Sequence, residues 1–123
     1  MIENLNGIHE TVKYKENSNV KLFINVEVED YPIHWHTPME IIMPLEGSYT
    51  VQIGDDLVHL NESDIIFIAS GVKHRLIAPD TGKRLILQIE WSAVSKIKEL
   101  NSILTLIAPV SYTHLTLPTI LLV

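Results

Sequence analysis

Val20, Leu22, Ile24, Val26 and Val28 alternate with Lys21, Phe23, Asn25, Glu27 and Glu29 in a strict period of two. Successive side chains of an extended chain leave opposite faces, so this stretch predicts a half-buried strand, closed by Asp30-Tyr31-Pro32. A second strand is predicted from about Met39 to Leu45, with a bend at Glu46-Gly47. Tyr49, Val51 and Ile53 alternate again, Gly54-Asp55-Asp56 reads as a hairpin turn, and Leu57 to Leu60 returns. Asn61-Glu62-Ser63-Asp64 turns the chain into the apolar run Ile65-Ile66-Phe67-Ile68. Ser70-Gly71 precedes a strand from His74 to Ile77, and Ala78 to Gly82 leads to a last strand from Arg84 to Trp91. Short strands bounded by turn residues at this rhythm predict an all-β fold, a small antiparallel β-barrel or jelly roll. The texture then changes. Ser92 reads as an N-cap, and Val94, Ile97, Leu100 and Leu104 fall at helical spacing, which predicts a C-terminal α-helix.

The expected division is an N-terminal arm over 1–17, the barrel over 18–91, the start of a helical segment over 92–109, and a tail over 110–123. The tail is set apart because residues 110–119, Val-Ser-Tyr-Thr-His-Leu-Thr-Leu-Pro-Thr, resemble one translated frame of a sequencing-library transposase adapter. On that resemblance His114 is left out of any ligand set, and the natural gene is expected to continue differently beyond about residue 109.

With 123 residues the chain has room for one modest core. Its net charge of −6 argues against direct binding of nucleic acid by this segment. The absence of cysteine removes disulfides, thiolate metal sites and thiol catalysis. Met1 to Lys13 is polar and mixed in charge, unlike a signal peptide, so a cytoplasmic address is expected. The stretch from Ser102 to Val123 is uncharged, yet Pro109 and Pro118 make it a poor bilayer span, and no membrane partner is expected.

The chemistry concentrates in His34-Trp35-His36-Thr37-Pro38-Met39-Glu40. Two histidines at i and i+2 of a strand share a face, and Glu40 shares their parity, although Pro38 interrupts the strand. His74 on a later strand supplies a further imidazole. Such a set suits a borderline divalent metal such as Zn, Mn, Fe, Ni or Cu, with positions left for substrate or water. The alternative is a metal-free polar pocket in which imidazoles satisfy a buried carboxylate. Both remain open at this point. Trp35 and Trp91 are read as packing residues with the option of stacking on a sugar. His9, His59, Lys73 and Arg75 are read as structural or surface groups.

This pattern resembles the cupin superfamily, whose first motif places two histidines around one residue, then a Glu and a Gly. His34, His36, Glu40 and Gly47 stand at those positions. The second motif is matched by Gly71 and His74, with Ser63, Ala69 and Ala78 in place of its usual Gly, Pro and Asn. By that resemblance, which covers about Val20 to Trp91, the metal or ligand contacts would be His34, His36, Glu40 and His74. The phrase Leu45-Glu46-Gly47-Ser48-Tyr49-Thr50-Val51 and the following helix further resemble sensor domains of AraC-type regulators. The resemblance implies a sensor and dimerisation module that binds a small polar effector, such as a sugar, in its barrel. It also implies a homodimer, DNA contact only through a C-terminal helix-turn-helix domain outside this chain, and no catalysis. A small metal-dependent cupin enzyme, of isomerase or dioxygenase type, and a stand-alone metabolite-binding module are the alternatives.

Overall fold

The computed structural model describes residues 4–15, 18–27, 29–78, 81–94, 96, 98–99, 102 and 112–116. The chain opens with a short hairpin, β1 (Leu5–Asn6) and β2 (His9–Glu10), and then enters β3 (Val20–Asn25) and β4 (Tyr31–His34). β5 (Met39–Glu46), β6 (Tyr49–Ile53), β7 (Asp56–Leu60), β8 (Ile65–Ile68), β9 (His74–Ile77) and β10 (Lys83–Ile89) follow. A short helix α1 (Trp91–Val94) and a strand β11 (Tyr112–Leu115) complete the described elements. Two antiparallel sheets result, one in the order β11-β8-β5-β10-β3 and the other in the order β4-β9-β6-β7. This is an all-β jelly roll. Among the described residues no helix is long and apolar enough to cross a bilayer.

Alternation explains how the core fills. Ile42, Tyr49, Val51, Leu60, Ile66, Ile68, Leu76 and Ile86 lie one residue in two along their strands and bury together. The β6–β7 connection pairs Ile53 with Asp56, leaving Gly54 and Asp55 as its two central residues. Gly54 has φ of 60° whereas Asp55 is not among the positive-φ residues, the pattern of a II′ turn.

Two elements depart from the expected layout. β3 forms where the alternation predicted a strand, but it is mostly exposed and its aliphatic row, continued by Val26, points outward: Leu22, Ile24 and Val26 are each more than half exposed. The cause is register. β10 sets Arg84 beside Asn25 and Ile86 beside Phe23, so the mixed row faces inward at the sheet's edge. The chain also crosses between sheets at Pro38, so His34 ends β4 while Glu40 lies in β5 of the opposite sheet. The expectation of one shared strand face is therefore corrected, because β4 ends at His34 and the chain joins the other sheet only at Met39.

α1 opens at Trp91, so the predicted cap Ser92 falls inside its first turn and Glu90 is the residue that precedes the helix. Lys98, Glu99 and Ser102 are also helical, whereas Ile97, Leu100 and Leu104 lie outside the described residues. Residues 112–115, which the sequence placed outside the barrel, pair along β8 from Tyr112↔Ile68 to Leu115↔Ile65. An open strand edge accepts any extended segment of this composition, and Thr113 and Leu115 are strand formers or tolerated there.

Gly82 has φ of 130°, and a Cβ there would stand 2.5 Å from the Glu46 carbonyl oxygen. Gly82→Ala is expected to cost about 2–3 kcal/mol through strain and displacement of β5 from β10. Urea unfolding monitored by tryptophan fluorescence measures it. An unchanged midpoint would contradict this close approach.

Candidate metal and ligand site

Register between strands assembles the site from both sheets. His34 and His74 are direct cross-strand partners of β4 and β9. Glu40 of β5 sits opposite Gln88 of β10 in the facing sheet. His36 lies in the crossover between the sheets and closes the gap. His34, His36, Glu40 and His74 are all at most 2% exposed. The structure thus brings all four sequence-predicted residues together.

Each imidazole is oriented from behind. Nδ1 of His34 donates to the Pro32 carbonyl at 2.8 Å, Nδ1 of His36 to Pro38 at 2.9 Å, and Nδ1 of His74 to Val72 at 2.8 Å. A carbonyl only accepts, so each ring carries its proton on Nδ1 and turns Nε2 inward. Donor atoms of the three rings all lie within 4.8 Å of one another. Glu40 Oε2 stands 3.5 Å from His36 Nε2 and 3.0 Å from His74 Nε2, while Gln88 Nε2 donates to Glu40 Oε1 at 3.0 Å. None of His36 Nε2, His74 Nε2 and Glu40 Oε2 has a hydrogen-bond partner, although all are buried. Buried polar atoms without partners are costly, and here they aim at one another. The residues fit a divalent ion: inward Nε2 atoms, one carboxylate, and outer hydrogen bonds that fix every donor.

The electrostatics follow from burial and mutual contact. Burial, aided by His74, pushes His34 down to about 4 and keeps it neutral. Burial acts the same way on His36, but the nearby Glu40 and Glu10 carboxylates outweigh it and raise its pKa. Burial would raise Glu40, yet the two imidazoles aimed at it hold it well below the usual carboxylate range.

These shifts have a consequence for stability. The folded pKa of His34 lies below its ordinary value of 6.5, so the unfolded chain binds a proton first. Its contribution is fully present above pH 6.5 and declines as pH falls to about 4, by roughly 3 kcal/mol. Metal-free protein is therefore expected to unfold at progressively lower urea across that window. A His34→Asn variant should show a flatter acid limb. Equal slopes for the two proteins would exclude His34 as the source.

A cavity of about 390 Å³ adjoins the cluster, and His34, Glu40, Gln88, Asn25, Tyr31 and Phe23 contribute to its wall. The arm supplies Glu10, Thr11, Val12 and Lys13 to the same wall. Tyr31 and Asn25 are joined by a hydrogen bond of 3.0 Å, and Asn25 in turn accepts from the buried Arg84 at 2.8 Å.

The remaining sequence candidates fall elsewhere. Trp35 stacks on His9 at 4.2 Å, which occupies one face of its ring, and Trp91 is partly exposed on α1. Arg75 pairs at the surface with Asp30, Lys73 is exposed, and His59 meets Thr50 at the surface. His114 contacts Asp64, apart from the histidine cluster. Sequence reasoning missed Glu10 and Gln88. Gln88 shares inward parity with Arg84 and Ile86 on β10, a signal visible only once that face is known to border polar groups.

Comparison with known proteins gives concordant results. A family model described as "Cupin domain" matches residues 23–89. A stretch of 55 residues is 34% identical to an uncharacterised HTH-type transcriptional regulator, YdeC, of Bacillus subtilis, covering 44% of this chain and 19% of that protein. The chain thus spans about a fifth of that relative's length. A cupin-2 domain protein of Shewanella frigidimarina is similar in structure, with a TM-score of 0.55 at 19% identity over 62% of this chain and 76% of that one. A variant of Bacillus subtilis oxalate decarboxylase matches with a TM-score of 0.53 at 23% identity, over 62% of this chain and 22% of that one. At these identities the structural likenesses establish the fold alone.

Proposed function

The chain belongs to the cupin family, and from that premise we propose that it is the ligand-sensing and dimerisation part of an AraC-type transcription regulator. One observation carries the sensing role: a buried cluster of polar donors opens into a cavity sized for a single small molecule. The cavity wall is rich in polar side chains, which suits a small polar effector such as a carbohydrate. His34, His36, Glu40 and His74 are the effector contacts, and they would hold a divalent ion of the Zn, Mn, Fe, Ni or Cu class. Such an ion would supply a Lewis-acidic contact for an oxygen of the effector.

The local identity to a helix-turn-helix regulator supports the regulatory reading. DNA contact would then belong to a domain beyond the helical segment 92–109, in a cytoplasmic homodimer. The exposed aliphatic row of β3 supports association with a second copy, since such a row is stabilised when covered. Effector binding shifts the balance of dimer or arm geometries only by its difference in affinity for them. The adapter-like residues 110–123 are proposed to replace the natural continuation.

The regulator reading is tested by the genomic sequence beyond codon 109, which is expected to encode two helix-turn-helix units. A stop codon shortly after the barrel would contradict it. The effector site is tested with a sugar panel in thermal-shift assays on wild type and a His36→Ala/Glu40→Ala double variant. The double variant should lose the shift while remaining folded by circular dichroism. A shift of equal size in both proteins would overturn the assigned contacts. The donor set, with its inward Nε2 atoms, favours a second reading, a metal-dependent cupin enzyme. Turnover abolished by a chelator and restored by metal would select that reading.

A further inference from the structure

Two runs of hydrogen bonds end at the wall of the cavity beside the histidines, and the first group of each fixes the direction of every bond in it. One run begins at Arg84, whose guanidinium only donates. Its Nη1 lies 2.8 Å from Asn25 Oδ1, which also accepts the Glu27 N–H at 3.1 Å. With donors on its oxygen, Asn25 turns its amide nitrogen the other way, and Nδ2 donates to the Tyr31 hydroxyl oxygen at 3.0 Å. That oxygen is the acceptor of the bond, so the Tyr31 proton points elsewhere. No acceptor for it stands among the described residues, and Tyr31 lines the cavity.

The second run begins at Glu40, whose carboxylate only accepts. Gln88 Nε2 donates to Glu40 Oε1 at 3.0 Å, which turns the amide oxygen away from the carboxylate. Gln88 Oε1 is buried without a partner among the described residues, and Gln88 lines the same cavity. Neither amide can reverse. Reversal would set oxygen against oxygen at Glu40 and an N–H against the guanidinium at Arg84. The cavity therefore has a fixed polarity, a donor at Tyr31 and an acceptor at Gln88.

We propose that Tyr31 and Gln88 determine specificity in this cavity, Tyr31 by donating to an acceptor oxygen of the effector and Gln88 by accepting from an O–H or N–H. This rests on the reading that the effector occupies the cavity. A hydroxyl is donor and acceptor at once, so an uncharged polyhydroxylated molecule satisfies both residues. A carboxylate would satisfy Tyr31 alone, and it would meet Glu10, Glu27 and Glu40 in the wall. The wall's lysines, Lys13 and Lys21, are exposed, so solvent and salt screen them. Phe23 and Ile86 supply apolar wall for the ligand's C–H groups. A buried acceptor left without a donor is costly, so the site discriminates strongly against an analogue that lacks the hydroxyl.

The test is isothermal titration calorimetry on the whole chain, with D-xylose, D-ribose, D-glucose and glycerol as neutral probes and L-lactate and L-malate as acids. Tyr31→Phe removes the donor, and Gln88→Met removes the acceptor. Asn25→Asp tests direction. It keeps the Tyr31 hydroxyl and still accepts from Arg84, but it offers Tyr31 an acceptor, which turns the hydroxyl proton toward residue 25 and away from the cavity. Wild type is expected to bind a neutral probe. Each variant should bind that probe about tenfold more weakly while remaining folded by circular dichroism. Binding of the acids alone, or of no probe, would overturn the assigned ligand class. Equal affinity in wild type, Tyr31→Phe and Gln88→Met, with binding lost in His36→Ala/Glu40→Ala, would overturn the polarity while leaving the cavity as the effector site. Full binding in that double variant as well would remove the cavity reading and this inference with it.

Discussion

Alanine in place of His36 is expected to lower affinity for Co(II) or Zn(II) by on the order of 100-fold or more. Loss of an outer hydrogen-bond partner alone typically costs 10–100-fold, and His36 is a direct donor whose ring Nδ1 is already fixed by the Pro38 carbonyl. The loss should not be general unfolding, because the hydrophobic cluster around Ile42, Val51, Leu60 and Ile86 does not include His36. Competition titration with a chromophoric chelator measures the affinity, and circular dichroism checks the fold. Wild-type affinity in a folded His36→Ala protein would mean that any bound metal lies elsewhere.

Arg84→Ala is expected to have the largest effect on stability of any single change in the barrel, about 3–5 kcal/mol. Arg84 is 1% exposed. Its guanidinium donates to Asn25 Oδ1 at 2.8 Å and to the Glu27 carbonyl at 2.9 Å, and it lies 4.3 Å from the centre of the Tyr49 ring. Truncation leaves a large cavity and takes one donor from each acceptor, Asn25 Oδ1 keeping the Glu27 N–H at 3.1 Å. Arg84→Lys should rescue little, since one ammonium cannot reproduce the flat stacked fork. Equilibrium urea unfolding of the three proteins decides this. A loss below about 1 kcal/mol in Arg84→Ala would show that water or a neighbour replaces the guanidinium without difficulty.

The strand rhythm was legible because apolar alternation and turn residues are local signals. β5 to β10 fall within a residue or two of the predicted segments, and the histidine–glutamate spacing marked the site. What escaped was nonlocal. Tyr31-Pro32 read as a strand end, yet Tyr31–His34 pairs with β9, and only that pairing reveals His34 as the neighbour of His74. The outward aliphatic row of β3 escaped for the same reason, because alternation shows that two faces differ and not which one meets the cavity. Arg84 read as the opening residue of a strand, although the partner row Asn25 and Pro44 places it inward. Glu10 lies in a polar arm without periodicity, and its nearness to His34 arises from two main-chain bonds to Trp35 that no spacing rule anticipates.

Imidazoles from the four-stranded sheet and its crossover, with the β5 carboxylate, are proposed to surround one ion. Anomalous diffraction at the cobalt edge from Co(II)-loaded crystals tests it most directly. One dominant peak is expected, bonded at about 2.0–2.2 Å to Nε2 of His34, His36 and His74 and to a Glu40 oxygen. Cobalt found only at surface carboxylates or at His59, with the interior cluster free of anomalous density, would contradict it.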